Sequence, residues 1–202
     1  MKEKSKINNK GFSLIELIVA VLIIAIISSG AILSFNAIFS DEATAAARSV
    51  VDVIKQTRVY ALGKENKEST ASDKRTGVYA KFYYKDSLLN VDVCKNSSSG
   101  ELTEVVLSNQ TISSTPFKIG FYQVTSTGES EPFVMGDNES VRVYFKKSTG
   151  GVAVAEKINS AGDPVGSPVA GVNKIHLYRA SNPANSKDLT LVNVTGRCYV
   201  DY

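Results

Sequence analysis

Between Lys10 and Asp41 the chain carries one charge, Glu16. It sits in the run Gly11-Phe12-Ser13-Leu14-Ile15-Glu16-Leu17-Ile18-Val19-Ala20-Val21-Leu22-Ile23-Ile24-Ala25-Ile26-Ile27, which continues through Ile32, Leu33, Phe35, Ala37, Ile38 and Phe39. A helix that is apolar all round has no face for water and needs lipid or other helices against it. Residues 12–39 would span about 42 Å as a helix, more than the ~30 Å of a bilayer's hydrocarbon. A carboxylate at mid-bilayer costs on the order of 2.5–3.5 kcal/mol, so Glu16 calls for a cationic partner. Cleavage after Gly11 would supply one, the new amine of Phe12.

Lys10-Gly11-Phe12-Ser13-Leu14-Ile15-Glu16 resembles the processing site of type IV pilins and type II secretion pseudopilins. The resemblance implies that a prepilin peptidase cuts after Gly11 and methylates Phe12. Glu16 then becomes the fifth mature residue, where the family carries its glutamate, and sets the register between subunits. Two other readings stand beside it. An ordinary secretory signal would use the basic Lys2, Lys4, Lys6 and Lys10, with Ser29-Gly30-Ala31 as its cleavage site. A plain single-pass anchor would account for the length of the run. Neither gives Glu16 a purpose, and the first does not explain why the apolar stretch continues past Ala31.

Charge follows the same division. Of 23 Lys and Arg and 20 Asp and Glu, four lysines and one glutamate lie in Met1–Gly11, leaving 19 of each sign. The net charge of +3 is therefore a property of the leader. Positive residues flanking an apolar helix hold that end in the cytoplasm. The expected location is the cytoplasmic (inner) membrane, single-pass with the C-terminal domain outside, and later an extracellular or periplasmic filament. A neutral remainder has no global attraction for nucleic acid, so DNA binding would need a local patch. Outside the cytoplasm Cys94 and Cys198 could form a disulfide; the alternative is two buried, reduced thiols. They have no metal-binding spacing.

Beyond the apolar run, Ala47, Val50, Val51, Ile54, Arg58 and Ala61 recur at helical spacing, and Gly63 ends the pattern. Alternation then takes over. Val78, Ala80, Phe82 and Tyr84 share one side of a strand, with Tyr79, Lys81 and Tyr83 opposite. Further strands are expected at Leu89–Val93, Leu102–Leu107, Phe117–Val124, Val141–Phe145, Val152–Ala155, Lys174–Tyr178, Leu189–Val194 and Cys198–Val200, with a turn at Ser181–Ser186. The fold class is α+β. A long N-terminal hydrophobic helix has its C-terminal half packed on an antiparallel β-sheet, a pilin-like arrangement. The divisions are a leader at 1–11, a transmembrane or filament-core helix at 12–39, an amphipathic half at 40–63 and a β-rich domain at 64–202. Ser28-Ser29-Gly30 interrupts the apolar run and could let the helix bend or locally unwind, and with no proline before Pro116 the break is expected to be weaker or differently placed than in many members of the family it resembles.

Three stretches resemble minor pilins of the GspH and FimT type: Ala46–Ala61, then Val141–Phe145 with Thr149-Gly150-Gly151, and the closing Leu189–Val194 with Thr195-Gly196-Arg197. FimT-like subunits bind DNA through a C-terminal Gly-Arg-x-Arg. Here Gly196-Arg197-Cys198-Tyr199 keeps the first arginine and replaces the second by Tyr199, which could stack on a base. The plain alternative is a glycine turn with an exposed arginine. The resemblance implies prepilin peptidase, other pilin or pseudopilin subunits, an assembly platform and the membrane as partners.

No nucleophile motif, phosphate loop or cofactor signature occurs, so an enzyme is not expected and no cofactor or metal is assigned. His176, the sole histidine, reads as a satisfied strand residue, and Gly136-Asp137-Asn138-Glu139 as an ordinary turn lacking calcium-loop spacing. Lys146-Lys147 reads as a solvated turn.

Overall fold

The computed structural model describes residues 13–63, 75–96 and 104–201, without the side chains of 29–40, 75 and 76. One helix, α1, runs Leu14–Leu62. The chain divides into two compact units between Phe39 and Ser40.

In the first unit the backbone is helical from Leu14, and Ser28–Gly30 are helical too. The helix does not unwind there. Ser28 Oγ donates to the Ile24 carbonyl at 2.7 Å, so its hydroxyl is satisfied within the helix. Among the described residues no helix is long and apolar enough to cross a membrane. The described apolar side chains end at Ile27, and a span needs about 20 residues.

Among its described residues the second unit combines the last part of α1 with thirteen strands: β1 (Arg75–Lys85), β2 (Leu88–Asn96), β3 (Glu104–Thr111), β4 (Phe117–Tyr122), β5 (Val124–Thr125), β6 (Gly128–Glu129), β7 (Phe133–Val134), β8 (Ser140–Lys146), β9 (Val152–Ile158), β10 (Val169–Ala170), β11 (Lys174–Arg179), β12 (Asn182–Val192) and β13 (Arg197–Val200). They form two main sheets rather than the single one expected. The first has the order β10-β9-β8-β1-β2-β3, the second β13-β12-β11-β4-β7, and β5-β6 is a separate hairpin. All pairings are antiparallel.

One core serves both sheets and the helix. Ala43, Ala46, Ala47, Val50, Ile54, Thr57 and Ala61 are buried along one face of α1, while Asp52, Lys55 and Val59 are exposed. Thr57 hides its hydroxyl by donating to the Val53 carbonyl at 2.8 Å. The same core holds Val78, Ala80 and Phe82 of β1, Val141, Val143 and Phe145 of β8, Ile119 and Phe121 of β4, and Ile175 and Leu177 of β11. Phe82 and Phe121 meet edge to face at 5.3 Å, one ring from each sheet. Glu42 of α1 pairs with Arg179 of β11 at 3.3 Å.

Two boundaries differ from expectation. The stretch expected as a turn at Ser181–Ser186 largely belongs to β12, which pairs with β11 from Asn182 onward. Only Leu189–Val192 have β13 on the other side. The first half of β12 is thus an edge, and an edge tolerates Pro183. Likewise β3 extends past Leu107 to Thr111, because Asn109 and Thr111 bond to Asp92 and Asn90 of β2.

Candidate functional site

At the start of α1, the N–H groups of Glu16 and Leu17 donate to the Ser13 carbonyl at 3.0 and 3.2 Å. Ser13 is the cap, and Ser13-x-x-Glu16 has the spacing of a capping box. Glu16 lies in the first turn, where the helix dipole favours a carboxylate. The Ser-x-x-Glu spacing was visible in the sequence, and a place in the first helical turn is a second account of this acid beside the partnership with a new amine. Gly11 and Phe12 lie outside the described residues. Every described side chain from Ser13 to Ser28 is exposed, with Leu14 at 77% and Ile27 at 66%. This apolar surface runs all round the helix, which is the mark of a segment covered by lipid or by another chain.

Residues 6–32 match the family model of the prokaryotic N-terminal methylation motif. The match covers the processing segment and a small share of the chain. It supports a type IV pilin-like, prepilin-processed N-terminus and carries no subfamily. Neither a curated protein nor a solved structure matches the chain.

In the second unit the two glycine turns singled out by the sequence come together. A Cβ on Gly196 would lie 1.8 Å from the Gly150 carbonyl oxygen, and one on Gly151 would lie 2.1 Å from that of Asn193. Gly150 and Gly196 have φ of 68° and 63°, a left-handed backbone that suits glycine. The β8–β9 turn and the β12–β13 turn are therefore packed backbone to backbone, and the side chain of Arg58 from α1 borders both. Sequence reading marked each turn but had no signal for their contact.

β13 is the edge of its sheet, and its residues alternate. Cys198 and Val200 point to the core, whereas Arg197 and Tyr199 share the exposed side. A cleft of about 340 Å³ is lined by Arg48, Asp52 and Lys55 of α1 and by Cys198, Tyr199 and Val200 of β13, but not by Arg197.

The disulfide does not form: Cys94 and Cys198 are both free and buried. Cys94 lies on β2 in a small cluster with Tyr79, Tyr144, Ala153 and Val154, while Cys198 lies on β13 in the main core. They sit on different sheets in separate apolar clusters, which is why the pairing fails. Burial pushes each thiol up to about 12.

His176 is satisfied, as expected of a strand residue. Its Nδ1 lies 2.5 Å from Asp188 Oδ1, and its ring stacks on Tyr178. Asp188 also accepts from Lys174 at 2.8 Å, and despite the cost of burial the bonds from His176 and Lys174 hold its carboxyl below the usual range. Gly136–Glu139 is a turn in which the Gly136 N–H donates to Glu139 Oε2 at 2.7 Å. No group of three or more metal-ligating side chains occurs among the described residues. Lys146 ends β8, its N–H donating to the Gly151 carbonyl, and Lys147 opens the β8–β9 turn.

Sequence reading missed the polar hub on the outer side of the six-stranded sheet. Glu104 accepts from Tyr79 Oη and Lys81 Nζ, each at 2.7 Å, and from Arg142 at 3.3 Å. Burial would raise its carboxyl, but the bonds from Lys81 and Tyr79 outweigh that and lower it. Alternation predicted that Tyr79 and Lys81 share a face; it could not foresee that a residue two strands away would join them.

Proposed function

We propose that this chain is a structural subunit, a minor pilin or pseudopilin, cut after Gly11 and methylated on Phe12 by a prepilin peptidase. The observation that carries the reading is the methylation-motif match over residues 6–32. The exposed apolar surface of Leu14–Ile27 supports it, since that surface suits a membrane anchor before assembly and a helix bundle afterwards. The leader at 1–11 stays in the cytoplasm, the helix of 12–39 holds the precursor in the inner membrane, and the part beyond Ser40 faces outward. Release into a type IV pilus, a competence pilus or a secretion pseudopilus then buries the helix among neighbouring subunits on an assembly platform. Burying ~1,000 Å² of apolar area is worth roughly 25 kcal/mol before ordering costs. Glu16 meets the amine of Phe12, on its own chain or the next, and fixes the axial register.

Co-expression with a prepilin peptidase followed by mass spectrometry tests the reading. The expected product lacks Met1–Gly11 and carries one methyl on Phe12. A bulky residue at Gly11 should leave the precursor uncut. A native N-terminus at Ile32, or an uncut chain in the presence of active peptidase, would overturn it.

A second reading, a DNA-binding or adhesive tip subunit, is favoured by one observation: Arg197 and Tyr199 lie on the same exposed side of β13. Arginine would hold a phosphate and tyrosine stack on a base. Gel shifts comparing the wild-type protein with Arg197→Ala decide it, and equal mobility of DNA with both removes this reading.

A further inference from the structure

The six-stranded sheet ends at β3, which pairs with β2 on one side only. Among the described residues, no backbone hydrogen bond joins its other edge to any group. Three successive apolar side chains on this strand are exposed: Val105 at 45%, Val106 at 49% and Leu107 at 38%. They do not belong to one face. Val106 lies opposite Cys94 and shares the outer side of the sheet with it, whereas Val105 lies opposite Lys95 on the other side. Leu107 is the extra residue where the register shifts between Val93 and Cys94. A strand flank that is apolar above and below is suited to an added strand, which covers both sides at once. A helix laid on one face would leave the other bare.

The edge lacks the features that usually prevent such pairing. Val105–Thr111 contains no charge and no proline. The one charged residue of β3, Glu104, is engaged by Tyr79, Lys81 and Arg142 of its own sheet. The bulge opposes pairing, but it is confined to Leu107, and Ser108–Thr111 run in regular register.

The other sheet edges are poor mates. β7 and β10 have two residues each, and β13 has four with Arg197 among them. β12 has a free stretch of similar length, Asn182–Asp188, but it carries Pro183, Lys187 and Asp188. Among the described strands, the long edge with neither proline nor charge along Val105–Thr111 is β3 itself. Run antiparallel to its own copy, it sets no like charges opposite each other. We propose that β3 pairs with β3 of a second copy of this chain about a twofold axis, joining two six-stranded sheets into one. So short a contact falls below the ~1,200 Å² of stable interfaces and acts where copies are already concentrated. It closes on itself, so it does not propagate a filament and is independent of the helix-mediated assembly proposed above.

The test uses the full-length chain in detergent micelles, with single cysteines placed in turn at Val105, Val106, Leu107 and Ser108. The native thiols are buried and give little background. Mild oxidation should give a disulfide-linked dimer from at least one of these positions, that nearest the twofold axis. Val124→Cys and Val194→Cys, exposed elsewhere, should give none. Val105→Lys together with Leu107→Lys should abolish the dimer formed through Val106→Cys while leaving the thermal melt unchanged. Contact between helices in the micelle cannot mimic this pattern, because it would not select β3 positions. The proposal fails if no β3 cysteine cross-links, if the control positions cross-link equally, or if the dimer survives the lysines.

Discussion

Gly196 carries two constraints at once: a left-handed backbone, and a carbonyl oxygen where a side chain would go. Gly196→Ala is therefore expected to cost about 2–5 kcal/mol, the sum of backbone strain and overpacking. Gly162→Ala, at φ 93° but with nothing within 4 Å, should cost less, since only the strain remains. Urea melts of the two variants compare them directly, and equal losses would mean the turn contact contributes nothing. Glu104 makes a prediction about pH. Its folded carboxyl lies below the unfolded value, so its contribution is complete above that value, about 4.3, and is lost as pH falls through the folded one. Stability should drop on acidification below about pH 4, and Glu104→Gln should flatten that part of the curve. An unchanged acid limb in the variant would assign the drop to other groups.

At the scale of elements, the second part of α1 depends on one face. Ile54→Ala removes a fully buried side chain and should cost about 2–5 kcal/mol, whereas Lys55→Ala, on the exposed side, should stay within about 0.5 kcal/mol. Thermal melts of the two variants check the contrast. Much of this element was legible beforehand, because small and branched apolar residues at three- and four-residue spacing have one buried solution. The strand sides of β1 were legible for the same reason, at period two. The division into two sheets was not. It depends on where β4 goes after leaving the meander at Ile112–Pro116, and strand alternation is identical for one sheet or two. The start of β12 was hidden by Pro183 and polar residues that spell a turn, and only its position as a half-edge makes a strand of them. Of the candidate site, the processing motif is written in consecutive residues and could be read. The packing of Gly150 and Gly151 on the turn between Asn193 and Gly196 joins segments far apart in the chain and could not.

For the whole molecule, the decisive contrast is between a first unit whose described side chains are all exposed and a second unit with its own core. Glu16 belongs to the first. Glu16→Ala should leave membrane insertion and cleavage largely intact while impairing incorporation into filaments. Immunoblots of membrane and sheared-filament fractions read both steps, and normal incorporation would reduce Glu16 to a helix-start residue beside Ser13. The chain has two cysteines in all, and both remain free thiols on different sheets. The second unit therefore holds itself together without a covalent tie. Under tension its strands have hydrogen bonds, ion pairs and packing to resist, and once these give way the whole segment can be drawn out, at up to ~3.3–3.6 Å per residue. Within this unit, a fibre built from such subunits would have no disulfide to stop it lengthening before a covalent bond broke.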